Sequence, residues 1–278
     1  MNESYRRQIM NEKKCKLSTI ENYAIGAITG LAEVALCNPL FVIKTNRQQK
    51  MPIPWSFRGL YAGAPINALG FMPITSIQVG ANNWLQVKIF NNHPTYIQQM
   101  GTAFSAGVLS SFISCPVEMV MALQNDNNKA SLASIVKSRL QTKGFFGFFN
   151  GQLATSSREG IFSVCFLEAP RLIKPKLTPY FHDDTTATIL SGVCSGIGAT
   201  LITHPFDTIK AMQQSPKGIN LGFFKTAKSM TMHSAYQGVL ARSGNVILAI
   251  TFMNWMKEKL EGFCEEYGAS IYGGSTFK

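Results

Sequence analysis

The sequence predicts an all-α membrane protein: six spanning helices in three pseudo-repeats around a central cavity, with short extra helices in the second and third repeats. Three observations carry this. Only 15% of the residues are charged, against about 25% in an ordinary soluble domain. Mean hydropathy is nonetheless only +0.06, so the spans must be amphipathic, each turning polar residues toward an internal cavity. Finally, three apolar runs end at prolines, Pro39, Pro116 and Pro205, and the residues before each proline repeat in register.

A glycine stands nine residues before each proline (Gly30, Gly107, Gly196), and four residues further back comes a small residue (Gly26, Ala103, Gly192). That small-xxx-small phase lets helices approach closely inside a bilayer. Its threefold recurrence marks internal repeats. Proline removes a backbone donor and clashes with the preceding turn, so Pro39, Pro116 and Pro205 kink the odd-numbered spans. Three kinked helices can bring their lower ends together and close one side of the bundle. After the prolines the text reads PLFVIK (39–44), PVEMVM (116–121) and PFDTIK (205–210), and a second landmark follows: LYAG ending at Gly63, FFNG at Gly151 and AYQG at Gly238.

The gap from proline to landmark glycine is 24, 35 and 33 residues. The longer gaps have room for an extra helix near 130–142 and 220–232; the first repeat has none. Six spans follow, over 20–47, 64–90, 97–124, 152–174, 185–213 and 239–261, each near or above the roughly 20 residues needed to cross hydrocarbon. The chain divides into a basic arm (1–19), repeats over 20–96, 97–184 and 185–262, and a polar tail (263–278) expected to be disordered.

The balance of 26 Lys+Arg against 15 Asp+Glu, +11, suits an anionic bilayer surface or anionic solutes. No basic stripe with interleaved aromatics marks a nucleic-acid binder. The six cysteines (15, 37, 115, 165, 194, 264) form no CxxC pair and read as free thiols. The four histidines (93, 182, 204, 233) lack i,i+4 spacing, so no metal site is expected. With no phosphate loop, dinucleotide fingerprint or nucleophile elbow, the sequence predicts no cofactor and no enzyme. Residues 1–20 carry Arg6, Arg7, Lys13, Lys14 and Lys16 without a following apolar stretch, which is not a signal peptide.

Over roughly residues 20–262 these motifs resemble the mitochondrial carrier family, whose signature is a threefold P-x-[DE]-x-x-[KR] followed by an aromatic-x-glycine landmark. The third copy, Pro205 to Lys210, matches in full. The second has Glu118 but Met121 in the basic slot, and the first has Lys44 but Phe41 in the acidic slot. The resemblance implies a matrix gate in which Glu118 pairs with Lys210 and Asp207 with Lys44. The third pair would be Phe41 with Met121, both now apolar. Losing one member of a buried pair costs about 3–5 kcal/mol, whereas replacing both by apolar groups can be neutral; the two departures therefore compensate. Gln48 and Gln214 hold slots where the family often places a bracing glutamine, and Asn125 holds the third. They either brace the pairs or sit as amides at polar helix ends.

The family also has a second network, [FY]-[DE]-x-x-[KR], at the far end of the even helices. Counting twenty residues from the landmark glycines gives Asn83, Arg171 and Glu258, which is not the acid set. Shifted registers select Glu168 with Arg171, or Lys259. A weak network there implies easy opening toward the cytosol.

Seven residues past each landmark lies the position that, in the family, faces the cavity at mid-membrane: Gly70, Arg158 and Asn245. Arg158 and Glu159 inside a span carry an insertion cost of about 2.5–3.5 kcal/mol each. They either contact substrate or form a pair that only stabilises the bundle. An Arg–Glu pair suits a solute with both a carboxylate and an ammonium, since arginine forks onto carboxylate oxygens. Gly70 beside Phe71 would leave a flat surface for an aromatic ring. Arg242 offers a second anion contact, and Glu33 either meets a cation or satisfies a local amide.

This combination is similar to the S-adenosylmethionine carriers of the family, through Tyr61 to Gly70, Arg158-Glu159, and Gly238, Val239, Arg242. What the resemblance implies is exchange of S-adenosylmethionine or a related adenine metabolite by alternating access. It also implies a monomer in the mitochondrial inner membrane, bound to anionic lipid such as cardiolipin, with the basic arm facing the cytosol or intermembrane space. An ATP/ADP carrier is the alternative, although the arginines usual there are missing at Gly70 and Asn245. Glu265-Glu266 before small residues resembles a bacterial secretion signal, which would make the destination host mitochondria if the source were an intracellular bacterium. A carrier-like membrane adaptor that transports nothing is a further alternative.

Overall fold

The computed structural model describes residues 17–48, 52–53, 55–61, 64–91, 93–126, 132–181, 183–214, 222–236 and 238–272; within these, the side chains of 44–48, 66, 122, 124–126, 132, 241, 265 and 267–272 lie outside the description. Its helices are α1 (Thr19–Gln48), α2 (Phe57–Tyr61), α3 (Ala64–Phe90), α4 (Tyr96–Asp126), α5 (Leu132–Lys143), α6 (Gln152–Leu167), α7 (Ala169–Leu177), α8 (Asp184–Gln214), α9 (Phe223–Ser229), α10 (Met232–Ala235) and α11 (Val239–Tyr272). The expected extra helices are α5 and α9.

The long helices close into a ring. α1 packs on α3, α3 on α4, α4 on α6, α6 on α8, α8 on α11, and α11 returns to α1. Each odd helix lays its small-residue stripe against the even helix of its own repeat. A Cβ on Gly26 would fall 2.7 Å from Thr75 O, and Cβ atoms on Gly192 and Gly196 would fall 2.7 Å from the Cα atoms of Thr251 and Ile247. Gly107 faces the Glu159 backbone in the same manner. Backbones this close admit no side chain between them.

Burial is inverted relative to a soluble bundle. Gln78, Ser110, Ser114, Glu159, Ser163, Ser191, Ser195, Thr200 and Thr203 are buried, while Leu36, Leu109, Phe112, Ile197, Leu201, Ile202 and Leu248 are exposed. Several of the buried hydroxyls return their protons to their own helix, as in Ser195 to Ser191 O (2.7 Å) and Thr203 to Ala199 O (2.7 Å). α1, α4 and α8 are long and apolar enough to cross a membrane. The even members carry much of the polar lining: Asn67, Gln78, Asn82 and Gln86 on α3, Arg158 and Glu159 on α6, which is itself only 16 residues long, and Arg242, Asn245 and Lys257 on α11.

The landmark glycines have a conformational reason. Gly151 (φ 87°) and Gly238 (φ 82°) are left-handed, a region open to glycine without steric penalty; they turn the chain into α6 and α11. The carbonyl three residues before each landmark accepts a side-chain donor from the odd helix: Asn38 Nδ2 to Leu60 O (2.6 Å), Cys115 Sγ to Phe148 O (3.6 Å) and Thr208 Oγ1 to Ala235 O (2.9 Å).

Two expectations need correction. The fourth span breaks at Glu168 into α6 and α7, because Pro170 in the first turn of α7 cannot donate to the turn before it. The sixth helix does not end at 261 in a disordered tail; it continues to Tyr272. Residues 257–266 are rich in helix formers, and Lys257 bonds Glu261 at 2.6 Å with i,i+4 spacing.

Candidate functional site

The interior of the ring holds one contiguous polar cluster at its middle and proline-side levels. Arg158, on α6, is its hub. Nη2 donates to Glu118 Oε1 on α4 at 2.8 Å and meets Glu159 Oε1, and Nη1 reaches Asp207 Oδ1 on α8 at 3.4 Å. Lys210 Nζ pairs with the other oxygen of Glu118, and Arg242 on α11 pairs with Asp207. Gln78 Nε2 on α3 donates to Glu159 Oε2 (2.9 Å) and Ser110 Oγ (3.3 Å). Glu33, half-buried on α1, lies near enough to repel Glu159. Among the described side chains the cluster thus counts three cations, Arg158, Lys210 and Arg242, against four carboxylates, Glu33, Glu118, Glu159 and Asp207.

Of the residues singled out in the sequence, this brings together Arg158, Glu159, Arg242, Glu33, Glu118, Asp207 and Lys210. The side chains of Lys44 and Gln48 lie outside the described residues, as does that of Asn125. Gln214 is buried and turns its amide toward Asn150 O (3.5 Å). Gly70 is buried, and a Cβ there would lie 3.1 Å from Val117 Cγ1, so its face is covered by α4. Phe71 beside it is half-buried. Asn245 Oδ1 and Arg158 Nε are buried with no hydrogen-bond partner among the described residues, polar atoms that a ligand or water can satisfy. Pro39, Pro116 and Pro205 each lie inside a continuous helix, α1, α4 and α8.

At the opposite end the even helices are linked by a second set of charges. Lys174 Nζ lies 2.5 Å from Glu258 and 2.8 Å from Asp184, and Arg171 lies 3.5 Å from Glu168 and 3.9 Å from Glu261. Beside them a small open pocket is lined by Asn22, Asn82, Asn83, Gln86, Arg171, Lys257 and Glu261, with Val79 and Leu167. Glu168, buried, accepts from Asn82 (3.2 Å) and Gln86 (3.5 Å).

Sequence reasoning missed Gln78, Lys174 and Glu261. For Lys174 and Glu261 the signal was present in the text: positions 20 and 23 past the landmarks read Asn83 and Gln86, Arg171 and Lys174, Glu258 and Glu261. One repeat supplies two amides, the next two bases, the third two acids. The search for an acid followed by a base in every repeat overlooked this sorting by repeat.

A family profile described as "Mitochondrial carrier protein" matches residues 92–179 and 181–267, together more than half of the chain. "Mitochondrial substrate carrier family protein X" of Dictyostelium discoideum is 25% identical over 84% of this chain and 88% of its own length. "Mitochondrial citrate transporter A" of Aspergillus niger is 23% identical over 90% and 93%. "Mitochondrial 2-oxodicarboxylate carrier 1" of Saccharomyces cerevisiae is 26% identical over 73% and 77%. With a closed ring of helices, threefold stripes and landmarks, and a polar interior, the chain belongs to the mitochondrial carrier family, the six-span transporters of small solutes in the mitochondrial inner membrane, which are not enzymes.

Proposed function

We propose that this carrier exchanges a small metabolite bearing both a carboxylate and a cationic centre, S-adenosylmethionine foremost, by alternating access between matrix and intermembrane space. The observation that carries the reading is the charge of the central cluster. Three cations face four carboxylates among the described side chains, and adding Lys44 gives only parity. A cavity for ATP, or for the polyanions named in the citrate and 2-oxodicarboxylate relatives, calls for an excess of cations. A solute carrying both charges fits parity. Its carboxylate takes the fork of Arg158, and its cation takes Glu159 and Glu33, with Asn245 Oδ1 available to an amine or an adenine N–H. Glu118–Lys210 and the contacts of Asp207 form the matrix-side closure. Arg171–Glu261 and Lys174–Glu258 form the cytosolic one, and among the described residues these ion pairs join one pair of even helices.

The mechanism follows from the sharing of partners. Arg158 holds Glu118 and Asp207 as well as Glu159, so a solute carboxylate binding Arg158 competes with the acids that close the matrix side. Only solute affinity that differs between the two states can drive the exchange of access. The test is exchange in liposomes containing the purified protein, with labelled S-adenosylmethionine, ATP, ADP, citrate and aspartate offered separately beside an Arg158→Ala control. Uptake of S-adenosylmethionine that is lost in the control supports the reading. Uptake of ATP or citrate in its place overturns it. Uptake of none by correctly inserted protein favours the non-transporting adaptor.

A further inference from the structure

In two repeats the aromatic of the aromatic-x-glycine landmark is a tyrosine whose hydroxyl lands on one particular carbonyl of the odd helix. Tyr61 Oη donates to Ala35 O at 2.9 Å, and Tyr236 Oη donates to Leu201 O at 3.2 Å. Ala35 and Leu201 each stand four residues before the kink proline of their helix, Pro39 and Pro205. That carbonyl is the one whose helical N–H donor proline abolishes. Both carbonyls sit on the outer face of the ring, where Ala35, Leu36, Leu201 and Ile202 are exposed. In hydrocarbon no water satisfies such a group, and an unpaired one is expensive.

We propose that Tyr61 and Tyr236 are positioning residues of the matrix gate. Each hydroxyl caps the carbonyl orphaned by the proline of its own repeat, and so braces the helix at the proline, beyond which α1 carries Lys44 and α8 carries Asp207 and Lys210. The ring of Tyr236 is held by stacking on His204 at 6.0 Å, and the turn before Tyr61 by the Asn38 bond to Leu60 O. The second repeat has Phe149 at this place, which has no hydroxyl, so the helix at Pro116 lacks a tyrosine cap of this kind.

The test is thermal unfolding of the full-length protein in detergent, followed by reaction of the buried thiols Cys37, Cys115 and Cys165. Tyr61→Phe and Tyr236→Phe should each lower the midpoint by roughly 3–6 °C, the size of one lost hydrogen bond in a chain of this length. In Pro39→Ala and Pro205→Ala backgrounds the alanine N–H replaces the lost donor, and the same step should shift the midpoint by less than about 1 °C. An equal shift in both backgrounds, or none in the parent, overturns the proposal. A second series needs no proline change: 4-aminophenylalanine at 61 or 236, which keeps a donor, should restore the midpoint, whereas 4-methoxyphenylalanine, with oxygen but no donor, should not. A methoxy variant as stable as tyrosine would sink the idea. For the positioning role, the Tyr236→Phe shift should at least halve in a Glu118→Gln background, where Lys210 has already lost its partner on α4; additive shifts would reduce the tyrosine to a structural cap and overturn that role.

Discussion

Replacing Arg158 by glutamine removes the one cation that touches three carboxylates, with contacts to Glu118 at 2.8 Å, to Asp207 at 3.4 Å and to Glu159. Lys210 and Arg242 remain to serve Glu118 and Asp207, and Glu159 keeps only the amide of Gln78. Breaking a buried pair by deleting one partner costs about 3–5 kcal/mol. The side chains here are 14% (Arg158), 23% (Glu118), 9% (Glu159) and 18% (Asp207) exposed, so partial solvation places the loss at the low end, about 3 kcal/mol. At roughly 2–4 °C per kcal/mol for a chain of this size, the midpoint should fall by about 6–12 °C. The informative variant is the double one. In Arg158→Gln with Glu159→Gln the stranded carboxylate is gone, so the midpoint should recover by half or more. Solute exchange should not recover, because both ends of the proposed solute have lost their contacts. Arg158→Lys should keep most of the stability but little exchange, since an ammonium cannot fork across two carboxylates. If Arg158→Gln melts within 2 °C of the parent, or if the double variant regains exchange along with stability, the pair is a bundle-stabilising feature and the reasoning fails.

At the cytosolic end, Lys174→Glu should raise the exchange rate or leave it unchanged while lowering the midpoint by no more than about 1 kcal/mol equivalent, because Lys174 and Glu258 are 22% and 40% exposed. Lys174→Glu with Glu258→Lys should restore the parent rate, and a double variant slower than either single would deny the pairing. Phe41→Asp alone should destabilise by about 3 kcal/mol as a carboxylate without its partner, and Met121→Lys added to it should return part of that loss; thermal midpoints of the four variants decide. Gly107→Ala should cost about 1–3 kcal/mol through overpacking, because its Cβ meets the Glu159 backbone, and an alanine variant as stable as the parent would contradict the helix contact. Asp183, at the start of α8, has its carboxyl held below the ordinary value of 3.8 by bonds from Thr185 N–H and from Thr186. Its cap therefore contributes fully above the ordinary value and is lost as pH falls from there through the lowered folded-state value. Amide exchange at Thr185 and Thr186 should accelerate relative to mid-helix amides under those acid conditions, and should be pH-insensitive in Asp183→Ala after correction for intrinsic rates.

The ring of helices was legible because its cause is periodic. Small residues at a fixed distance before three prolines specify which helix faces meet, and the contacts of Gly26, Gly192 and Gly196 with α3 and α11 are that pattern realised. The span boundaries followed from apolar length, except where a single residue intervened. Pro170 breaks α6 from α7 without changing hydropathy, and the charged run after Trp255 extends α11 because helix formers need no apolar environment. The site was legible in membership but not in wiring. Family resemblance singled out Arg158 as a cavity residue, yet that its guanidinium reaches the gate acids on two other helices depends on side-chain length and helix tilt, which no count along one chain contains. Gly70 illustrates the same limit, since the residue that covers it, Val117, belongs to another repeat. The tyrosine hydroxyls were hidden for a different reason. The landmark was read as aromatic, and only the atoms show that two of the three aromatics differ from the other by a single oxygen that meets the orphaned carbonyl.

The sharing of Arg158 between solute and gate constrains the solute more tightly than the presence of an arginine does. A dianion approaching Arg158 must displace Glu118 and Asp207 without offering their carboxylates any replacement, leaving Lys210 and Arg242 as sole described partners and Glu159 stranded beside Glu33. Uncompensated carboxylates in a partly desolvated ring oppose that exchange. A solute that brings a cation together with its carboxylate returns a counter-charge for the one it takes, so the cluster gains no net negative charge through the cycle and the closing pairs can loosen one at a time. The proposal therefore predicts an order among competitors. Against labelled S-adenosylmethionine, excess unlabelled analogues that keep the carboxylate and the ammonium of the amino-acid end, the zwitterionic homocysteine analogue included, should inhibit strongly, the decarboxylated analogue weakly, and ATP or citrate least. Inhibition that rises with solute negative charge would reverse the sign of the argument and assign the cluster to anion exchange.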